Sequence, residues 1–354
     1  MPSKSEQIAR FDPDGVGRKG SLFGLPFTPE TAKVVIIPVP WDVTVSYAGG
    51  TSGGPMAILE ASPQIDYFLA DIPDAWKIGI AMEAVSTAWA EHSAALRTRT
   101  ELYIEWLEAG NSREALPEEF EGLLEDVEEA GRQLNDWLAE QANKYLEQGK
   151  VVGVLGGDHS SPLGLMQALA RRHEAFGILQ IDAHADLREA YEGFRYSHAS
   201  IMTNALELEQ VRKLVQVGVR DFAESEKAAV DMSNGRVVSF YDQTLKEKQY
   251  AGQTWRDQCQ QIVGALPDKV YVSFDIDGLD PKLCPHTGTP VPGGFELDAI
   301  HYLIKQVVLS GRQIIGFDLC EVAPGGNEDW DGNVGARALY RLAAWAGISD
   351  NREL

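Results

Sequence analysis

Short apolar runs recur along this chain of 354 residues and alternate with segments whose apolar positions repeat at helical spacing. The runs are rich in Val and Ile, which favours β-strands. They predict strands at about 34–39, 77–82, 151–155, 177–182, 214–218, 236–240, 270–275 and 314–318. Helical patterns fall between them, near 55–62, 118–148, 161–173, 253–265, 296–309 and 333–347. This alternation is typical of an α/β fold.

Most of the predicted strands are apolar at consecutive positions rather than at alternate ones, so both of their faces are expected to be buried. Burial on both faces is typical of a parallel sheet that helices cover on each side. We therefore predict a single domain over residues 1–354, built as a three-layer, doubly wound, mostly parallel eight-stranded sheet. In such sheets, ligands bind beyond the carboxyl ends of the strands.

The segment 88–148 interrupts this alternation with a long, acidic, helical stretch. A break between Asn111 and Pro117 predicts two helices rather than one, packed on the outside of the domain. This helical insertion is compatible with an oligomer contact, with a lid over the site, or with a solvated helical surface. The sequence leaves these three interpretations open.

The chain is acidic, with a formal net charge of −22 and a pI of about 4.7. An acidic surface repels nucleic acid and anionic membranes and weakly attracts small cations, although it can also serve solubility alone. No apolar run approaches the length of a membrane span. Three cysteines without a CxxC pair, and an N-terminus without an apolar core, predict a reducing, cytoplasmic location. We therefore expect no nucleic-acid or membrane partner.

Three short segments concentrate metal-binding residue types directly after predicted strands. They are residues 156–160 (GGDHS), 182–186 (DAHAD) and 273–281 (SFDIDGLDP). In extended backbone, positions i, i+2 and i+4 project to the same side, so the second segment can present three ligands together. Each piece alone is more simply explained by a capping aspartate or a core histidine. Three such pieces at strand ends predict a metal site.

The types of ligand narrow the choice of metal. The candidates are two imidazoles and four carboxylates, without a thiolate: His159, Asp182, His184, Asp186, Asp275 and Asp277. Oxygen and imidazole ligands favour Mn²⁺, with Ni²⁺ as the main alternative and Co²⁺ or Zn²⁺ as further possible occupants. Because these ligands are more than one ion requires, we expect two divalent metal ions and hydrolytic chemistry.

In their order along the chain and in their amino-acid sequences, the three motifs resemble those of the ureohydrolase family of arginase, agmatinase and their relatives. Further matching stretches are residues 41–62, 196–198 (YSH), 287–290 (TGTP) and 320–324 (CEVAP), and the resemblance extends from about 38 to 345. It implies an arginase-like fold and two Mn²⁺ ions on the six ligands above, with Asp182 and Asp275 bridging them. It also implies that a hydroxide held between the metals attacks a guanidinium carbon and releases urea.

The resemblance assigns roles to two further residues, His198 and Glu321, and Asp186 is expected to act in catalysis as well as to bind metal. His198 matches a loop histidine that would carry a proton to the leaving amine, as an imidazole that titrates near neutrality can. Glu321 matches the carboxylate that pairs with the substrate guanidinium. Arg188 and His286 are expected to contact the substrate, and His286 is interpreted as a residue that narrows the pocket.

The substrate is predicted from two positions at which arginases usually carry Asn and Asp to hold an amino-acid head group. In this chain they are Arg188 and Ala223, so arginine is disfavoured and agmatine, hydrolysed to putrescine and urea, is the leading prediction. Free guanidine, guanidinobutyrate and guanidinopropionate are the alternatives within the same chemistry. The expected partner is in each case a small guanidino compound, cationic in the leading prediction.

Two other classes of protein fit the sequence less well. A deacetylase on a related fold would use a single Zn²⁺, whereas this chain also carries His159 and the pair Asp275 and Asp277. A non-catalytic metal-binding subunit would tolerate the loss of ligands, and none is lost here. The resemblance further implies a homo-oligomer, commonly a trimer or a hexamer.

Overall fold

The computed structural model describes residues 2–326 and 330–350, in which eight strands form one sheet. The strands are β1 (Val34–Val39), β2 (Ile80–Met82), β3 (Val151–Gly156), β4 (Phe176–Ile181), β5 (Val211–Val217), β6 (Val237–Phe240), β7 (Lys269–Asp275) and β8 (Gln313–Cys320). Their order across the sheet is β2-β1-β3-β8-β7-β4-β5-β6, and every pair of neighbours is parallel. The predicted eight-stranded, doubly wound sheet is therefore confirmed.

Helices cover both faces of this sheet and connect its strands. They are α1 (Lys4–Arg10), α2 (Gly54–Ala61), α3 (Thr87–Glu108), α4 (Leu123–Leu146), α5 (Leu163–Ala170), α6 (Ile201–Leu206), α7 (Glu224–Met232), α8 (Asp242–Tyr250), α9 (Trp255–Gly264), α10 (Leu297–Leu309) and α11 (Trp330–Ile348). The hydrophobic pattern did not predict α1, α6, α7 and α8. These four helices are nine residues long or shorter, too short to show a clear period of 3.6 residues.

The central strands are buried on both faces, as their composition requires. All residues of β3 and β4 are buried, which explains why their sequences are apolar without alternation. Strand β2 is shorter than the predicted 77–82. A 3₁₀ turn occupies Ala75–Ile78, and Gly79 follows it with a φ of 80°, so the extended backbone begins only at Ile80.

The predicted break inside the helical insertion is present, since α3 and α4 are separate helices. Gly110 ends the turn after α3 with a φ of 85°, and Gly122 precedes α4 with a φ of 75°. Glycine adopts this left-handed conformation without the penalty that a Cβ atom brings. Helix α4 packs against α5, while α3 extends toward the carboxyl end of the sheet, where its side chains contact two loops.

Two further features concern the helices and the cysteines. Among the described residues, no helix is long and apolar enough to cross a membrane. The three cysteines, Cys259, Cys284 and Cys320, are buried free thiols.

Candidate metal centre

The strand order places the chemistry-bearing motifs side by side. Strands β3, β8, β7 and β4 are consecutive neighbours in the sheet. Their carboxyl ends lead directly into His159, Glu321, Asp275 and Asp182. Carboxyl ends of parallel strands lie at one edge of a sheet. Residues separated by up to 162 positions in the chain are therefore in contact at this edge.

A first group of ligand atoms surrounds Nδ1 of His159. This atom lies 2.8 Å from Oδ2 of Asp186, 3.0 Å from Oδ2 of Asp182 and 3.3 Å from Oδ2 of Asp275. All four side chains are buried. The imidazole nitrogen and the carboxylate oxygens of His159, Asp182 and Asp186 are close enough together to hold one metal ion.

A second group forms around Nδ1 of His184. Oδ2 of Asp277 lies 2.9 Å from this nitrogen, and Oδ1 of Asp182 lies 3.7 Å from it. These three residues could hold a second ion. The backbone fixes the carboxylates, because Asp182 accepts a hydrogen bond from the His184 amide at 2.6 Å and Asp277 accepts one from the Ala183 amide at 3.0 Å.

Asp182 belongs to both groups, since its Oδ2 faces His159 and its Oδ1 faces His184. A carboxylate with one oxygen toward each group is placed to bridge two cations. The second expected bridge, Asp275, approaches His159 through Oδ2, while its Oδ1 accepts a hydrogen bond from the Asp277 amide at 2.9 Å. The six predicted ligands are thus brought together in one cluster.

The orientation of His159 fits a metal ion. Its Nε2 lies 2.9 Å from Oγ of Ser273, and that hydroxyl donates its proton to Oδ2 of Asp318 at 2.9 Å. Because the serine proton is directed to the carboxylate, Nε2 of His159 must be the donor. In the neutral imidazole Nδ1 then carries the lone pair, and this atom makes no hydrogen bond within the described part of the chain. A lone pair that faces three carboxylates is the arrangement of a metal ligand, so the site suits a cation.

The pKa values in the cluster reflect crowded negative charge in a buried site. Burial, followed by the charge of Asp182, raises the pKa of Asp186 to about 7. Burial and the charge of Asp277 raise the pKa of Asp275 well above its usual value. Burial alone would also raise the pKa of Asp182, but the adjacent His159 and His184 imidazoles hold it below its usual range. A bound cation would favour the ionised form of all these carboxylates.

Two residues of the site have left-handed backbone conformations that non-glycine residues rarely adopt. The φ angle is 53° at Asp186 and 65° at Glu321. Such conformations cost free energy and are concentrated at functional sites. Hydrogen bonds hold both: the carbonyl of Asp186 accepts from the Met202 amide at 3.1 Å, and the amide of Glu321 donates to the Gly157 carbonyl at 2.8 Å.

Glu321 contacts the metal loop directly. Its Oε1 accepts a hydrogen bond from the backbone amide of His159 at 2.8 Å, and its own carbonyl accepts one from the hydroxyl of Thr287 at 2.7 Å. Its Oε2 makes no hydrogen bond with any described residue and lies beside Gly288. Burial, followed by the charge of Asp158, raises the pKa of Glu321 well above its usual value.

A cavity of about 540 Å³ opens onto this cluster. Its lining comprises Ser46, Tyr47, His184, Asp186, Arg188, Tyr191, His198, Ala199, Asp221, Phe222, Ala223, Glu226, Thr289, Pro290 and Val291. His198 lies on the cavity wall, with its ring edge-on to Tyr191 at a centroid distance of 6.0 Å. Burial, with the nearby His184 and His159, lowers the pKa of His198 to about 3, so this imidazole is neutral near neutral pH.

The other two predicted substrate contacts differ in position. Arg188 lines the cavity, with its guanidinium 4.7 Å from the Tyr191 ring and its Nε 3.9 Å from Oε2 of Glu226. His286 is absent from the described lining of the cavity. Its Nδ1 lies 2.8 Å from the buried carboxylate of Asp331, and its ring packs against Gly325. This position gives no support to the interpretation that His286 narrows the pocket.

Two residues after β5 that sequence reasoning left without a role are part of the site. Arg220 donates hydrogen bonds to the carbonyls of Asp277 at 2.7 Å and Val291 at 2.9 Å, and so ties β5 to the metal loop. Asp221 is exposed on the cavity wall, and its carboxylate makes no hydrogen bond or ion pair with any described residue. Their position past the carboxyl end of a predicted strand was the available signal.

Comparison with known proteins shows the family of this chain. The family model described as the arginase family matches residues 32–344. The N(1)-aminopropylagmatine ureohydrolase of Thermus thermophilus is 31% identical over 306 residues, which are 86% of this chain and 88% of that protein. The agmatinase of Bacillus anthracis is 29% identical over 296 residues, which are 83% of this chain and 85% of that protein.

The fold is similar to that of solved structures. The agmatine ureohydrolase of Thermoplasma volcanium superposes with a TM-score of 0.68 at 21% identity, and the match covers 98% of this chain and 99% of that one. At this identity the likeness establishes the fold alone. Because the family model spans most of the chain and a full-length relative exceeds 30% identity, this chain belongs to the arginase family and is a hydrolytic enzyme of that family.

Proposed function

We propose that this protein hydrolyses the guanidino group of a small amine-bearing substrate, with agmatine as the leading candidate, and releases urea and an amine. The observation that carries the proposal is the unpaired carboxylate of Asp221 on the wall of the cavity that opens onto the metal cluster. A substrate with a guanidinium at one end and an ammonium at the other would satisfy both the cluster and Asp221. Charge-assisted hydrogen bonds to carboxylates are among the strongest that proteins form.

The aromatic side chains of the cavity support a cationic substrate. Tyr47, Tyr191 and Phe222 all line it, and Phe222 is held by stacking on Tyr241 at a centroid distance of 5.0 Å. Aromatic faces attract cations, most strongly where water is partly excluded. The same features suit a longer guanidine with additional amines, so N(1)-aminopropylagmatine belongs in the test beside agmatine.

Arg188 is the feature that would favour a carboxylate-bearing guanidine such as guanidinobutyrate or guanidinopropionate. Its guanidinium is near Glu226, whose Oε2 also accepts a hydrogen bond from the Ala223 amide at 2.7 Å. This partner reduces the positive charge that Arg188 offers to the cavity, whereas the charge of Asp221 is uncompensated. We therefore rank these acids, and free guanidine, below agmatine.

Within this proposal, the chain's own residues bind, orient and transfer protons. Oε2 of Glu321, which has no described hydrogen-bond partner, would accept from the substrate guanidinium while Oε1 keeps its bond to His159. The neutral imidazole of His198 would accept a proton released by the attacking water at one ring nitrogen and give up the proton of its other ring nitrogen to the leaving amine. Asp186 and the other five ligands would hold two divalent ions, which when bound supply Lewis acidity and activate water.

The metal is proposed to be Mn²⁺, with Ni²⁺ as the alternative. The donor set is nitrogen from His159 and His184 and oxygen from three carboxylates, with that of Asp275 beside His159 as a fourth, and no thiol belongs to either group. Hard and borderline donors of this kind favour Mn²⁺, while Ni²⁺ binds imidazole more tightly. Activity of protein reconstituted with each metal separately would decide between them.

The test is urea release by Mn²⁺-loaded and Ni²⁺-loaded protein from agmatine, N(1)-aminopropylagmatine, arginine, guanidinobutyrate, guanidinopropionate and free guanidine. We expect the highest kcat/KM with an amine-bearing substrate. Preference for guanidinobutyrate or guanidinopropionate would instead mean that Arg188 binds the end of the substrate away from the guanidinium. Preference for free guanidine would mean that the enzyme makes no contact with that end.

The substitution Asp221→Asn tests whether the carboxylate of Asp221 binds the ammonium end of the substrate. It should raise KM for agmatine about 10-fold or more, since a charge-assisted contact is replaced by a neutral one, and leave KM for free guanidine unchanged. The exposed carboxylate of Asp66 lies outside the cavity lining, so Asp66→Asn is the matched control. Equal effects of Asp221→Asn on both substrates would contradict the proposed contact.

A further inference from the structure

We propose that the first helix of the insertion, α3, positions the two loops that form the mouth of the active site, and that Thr100 and Tyr103 are its main positioning residues. The loops are the first rim loop, residues 41–53, and the second rim loop, residues 187–198. The inference rests on the proposed function for its kinetic test, but one of its measurements is independent of activity.

Three side chains of α3 hold the first rim loop. The hydroxyl of Thr100 donates to the carbonyl of Val43 at 2.6 Å, and the guanidinium of Arg97 donates to the carbonyl of Val45. The hydroxyl of Ser93 accepts from the Asp42 amide at 3.2 Å. These groups are buried or half-buried, so water does not readily replace them and each bond contributes to the position of the loop.

Asp42, which is bonded to Ser93 of α3, also holds the glycine-rich end of the same loop. Its Oδ2 accepts hydrogen bonds from the amides of Gly50 at 3.0 Å and Ser52 at 3.2 Å. Its Oδ1 accepts from the hydroxyl of Ser93 at 3.3 Å. The segment between Val45 and Gly50, which contains the cavity residues Ser46 and Tyr47, is therefore fixed at both ends.

The second rim loop is held by Tyr103. Its hydroxyl donates to the carbonyl of Glu192 at 2.9 Å, and its ring packs edge-on against Phe194 at 5.6 Å. Glu192 has a φ of 54°, a left-handed conformation that costs free energy in a non-glycine residue. It lies in a tight turn closed by two hydrogen bonds between Tyr191 and Phe194, at 3.1 and 2.8 Å. The surrounding contacts must therefore stabilise this turn.

The spacing of the attachment points explains how one helix reaches both loops. Ser93, Arg97 and Thr100 are separated by four and three positions, which places them on one face of α3. Tyr103 borders this face one turn further along and is fully buried. The helix thus has a continuous buried stripe that follows the cavity mouth from the first rim loop to the second.

This arrangement argues against two of the three interpretations of the insertion, the lid and the purely solvated surface. The structure describes all of residues 88–148, and none of them lines the cavity over the metal cluster. The insertion is therefore not a lid in this structure, and its buried stripe excludes a purely solvated surface for α3. Helix α3 contacts both rim loops without itself lining the cavity.

The two loops contribute different residues, so their loosening should have different kinetic effects. The first rim loop contributes Ser46 and Tyr47, which can contact substrate but carry no proposed chemical step. The second contributes Arg188, Tyr191 and His198, and His198 has the proposed proton-transfer role. Loosening the first loop should chiefly raise KM, and loosening the second should chiefly lower kcat.

The first variant is Thr100→Val, which keeps the shape of the side chain and removes the hydroxyl. We expect KM to rise about 3- to 10-fold with kcat nearly unchanged, the range that follows from the loss of one buried hydrogen bond. Thr98→Val is the matched control, because the Thr98 hydroxyl donates within α3, to the Ala94 carbonyl at 3.0 Å. A merely structural loss would lower the active fraction and therefore kcat, without raising KM.

The second variant is Tyr103→Phe, which keeps the ring and removes its bond to Glu192. We expect kcat to fall about 3- to 10-fold and trypsin to cleave after Arg188 or Arg195 faster by a similar factor at an unchanged melting temperature. Tyr250→Phe, at an exposed tyrosine at the end of α8, is the matched control. The cleavage positions would be identified by mass spectrometry.

The outcomes separate the two proposals. Wild-type protein that releases no urea from any guanidine would contradict the proposed function, and the trypsin comparison would then decide the role of α3 alone. Active wild-type protein with unchanged KM in Thr100→Val, and with unchanged kcat and cleavage rate in Tyr103→Phe, would overturn the positioning role.

Discussion

Nε2 of His159 donates a hydrogen bond to the hydroxyl of Ser273, 2.9 Å away, and that hydroxyl donates in turn to Asp318. Ser273 lies in β7 and Asp318 in β8, and His159 follows β3; the three strands are consecutive in the sheet. The chain of bonds fixes which nitrogen of His159 faces the carboxylates. It also gives the buried carboxylate of Asp318 a role, as the acceptor for the Ser273 hydroxyl.

Removing the Ser273 hydroxyl, which is the middle member of this series of hydrogen bonds, should weaken metal binding. In Ser273→Ala, the His159 ring loses its orienting acceptor, and such outer contacts typically contribute about 10- to 100-fold in metal affinity. We expect that loss in Mn²⁺ affinity, measured by competition with a chelator, and recovery of urea release at saturating metal. Ser310→Ala is the control, since the Ser310 hydroxyl donates to Val307 at the end of α10. Unchanged affinity in Ser273→Ala would show that the ring is held by packing alone.

The shared position of Asp182 predicts how many ions each variant keeps. Its two oxygens face the two groups of ligands, whereas Asp277 belongs to the second group only. We expect Asp182→Ala to lose both ions and Asp277→Ala to retain one, measured as metal per chain by elemental analysis after gel filtration. Asp280→Asn, in the same motif but paired with Lys282 at 3.5 Å, should retain both. Full occupancy in Asp182→Ala would exclude a bridging role.

The turn that carries His159 depends on a residue without a side chain. A Cβ atom on Gly157 would lie 1.9 Å from the carbonyl oxygen of Trp41, far inside contact distance. Gly157→Ala should therefore displace the turn and destabilise the protein by about 1–3 kcal/mol or more, together with a loss of metal affinity. Denaturant unfolding of the metal-free protein measures the first effect.

The control for this substitution lies in α9. A Cβ atom on Gly264 would have no neighbour within 4 Å, so Gly264→Ala should be neutral or stabilising by up to about 1 kcal/mol. Equal stability of the two alanine variants would mean that the loop between β3 and α5 relaxes freely, and that its close packing against Trp41 is unimportant.

The parts of the site that sequence predicted are those specified by local pattern. Asp182, His184 and Asp186 follow a buried strand at alternate positions, and parallel strands bring such ends to one edge whatever the details of packing. Asp275 and Asp277 are predictable for the same reason. Strands β1, β3 and β4 were likewise found because all of their residues are buried, and fully buried strands have continuous apolar sequences.

The parts that were missed depend on contacts distant in sequence. The role of Arg220 consists of bonds to the carbonyls of Asp277 and Val291, which no local pattern specifies. Asp221 is recognisable only because the structure leaves it unpaired in the cavity wall. Tyr103 appeared in the sequence as one more residue of an acidic helix, and only the docking of α3 beside Glu192 gives it a role.

A last prediction concerns stability against acid, at a site remote from the metal ligands. His301 is buried in α10, and burial together with the adjacent Arg341 lowers its pKa to about 3. In the unfolded chain the pKa returns to about 6.5. Because the folded value is the lower one, the stability linked to this residue is complete above the unfolded pKa and is lost as the pH falls from about 6.5 toward about 3.

The loss attributable to His301 should be about 2 kcal/mol between about pH 8 and about pH 5, where the unfolded imidazole has taken up a proton and the folded one has not. His301→Asn keeps an acceptor for Arg341, which lies 2.9 Å from Nδ1 of His301, but cannot titrate. Free energies of unfolding of both metal-free proteins at the two pH values give the double difference, in which the other titrating groups cancel. A wild-type pH dependence no steeper than that of His301→Asn would show that His301 is solvated or protonated in the folded state, and would remove it as a source of acid sensitivity.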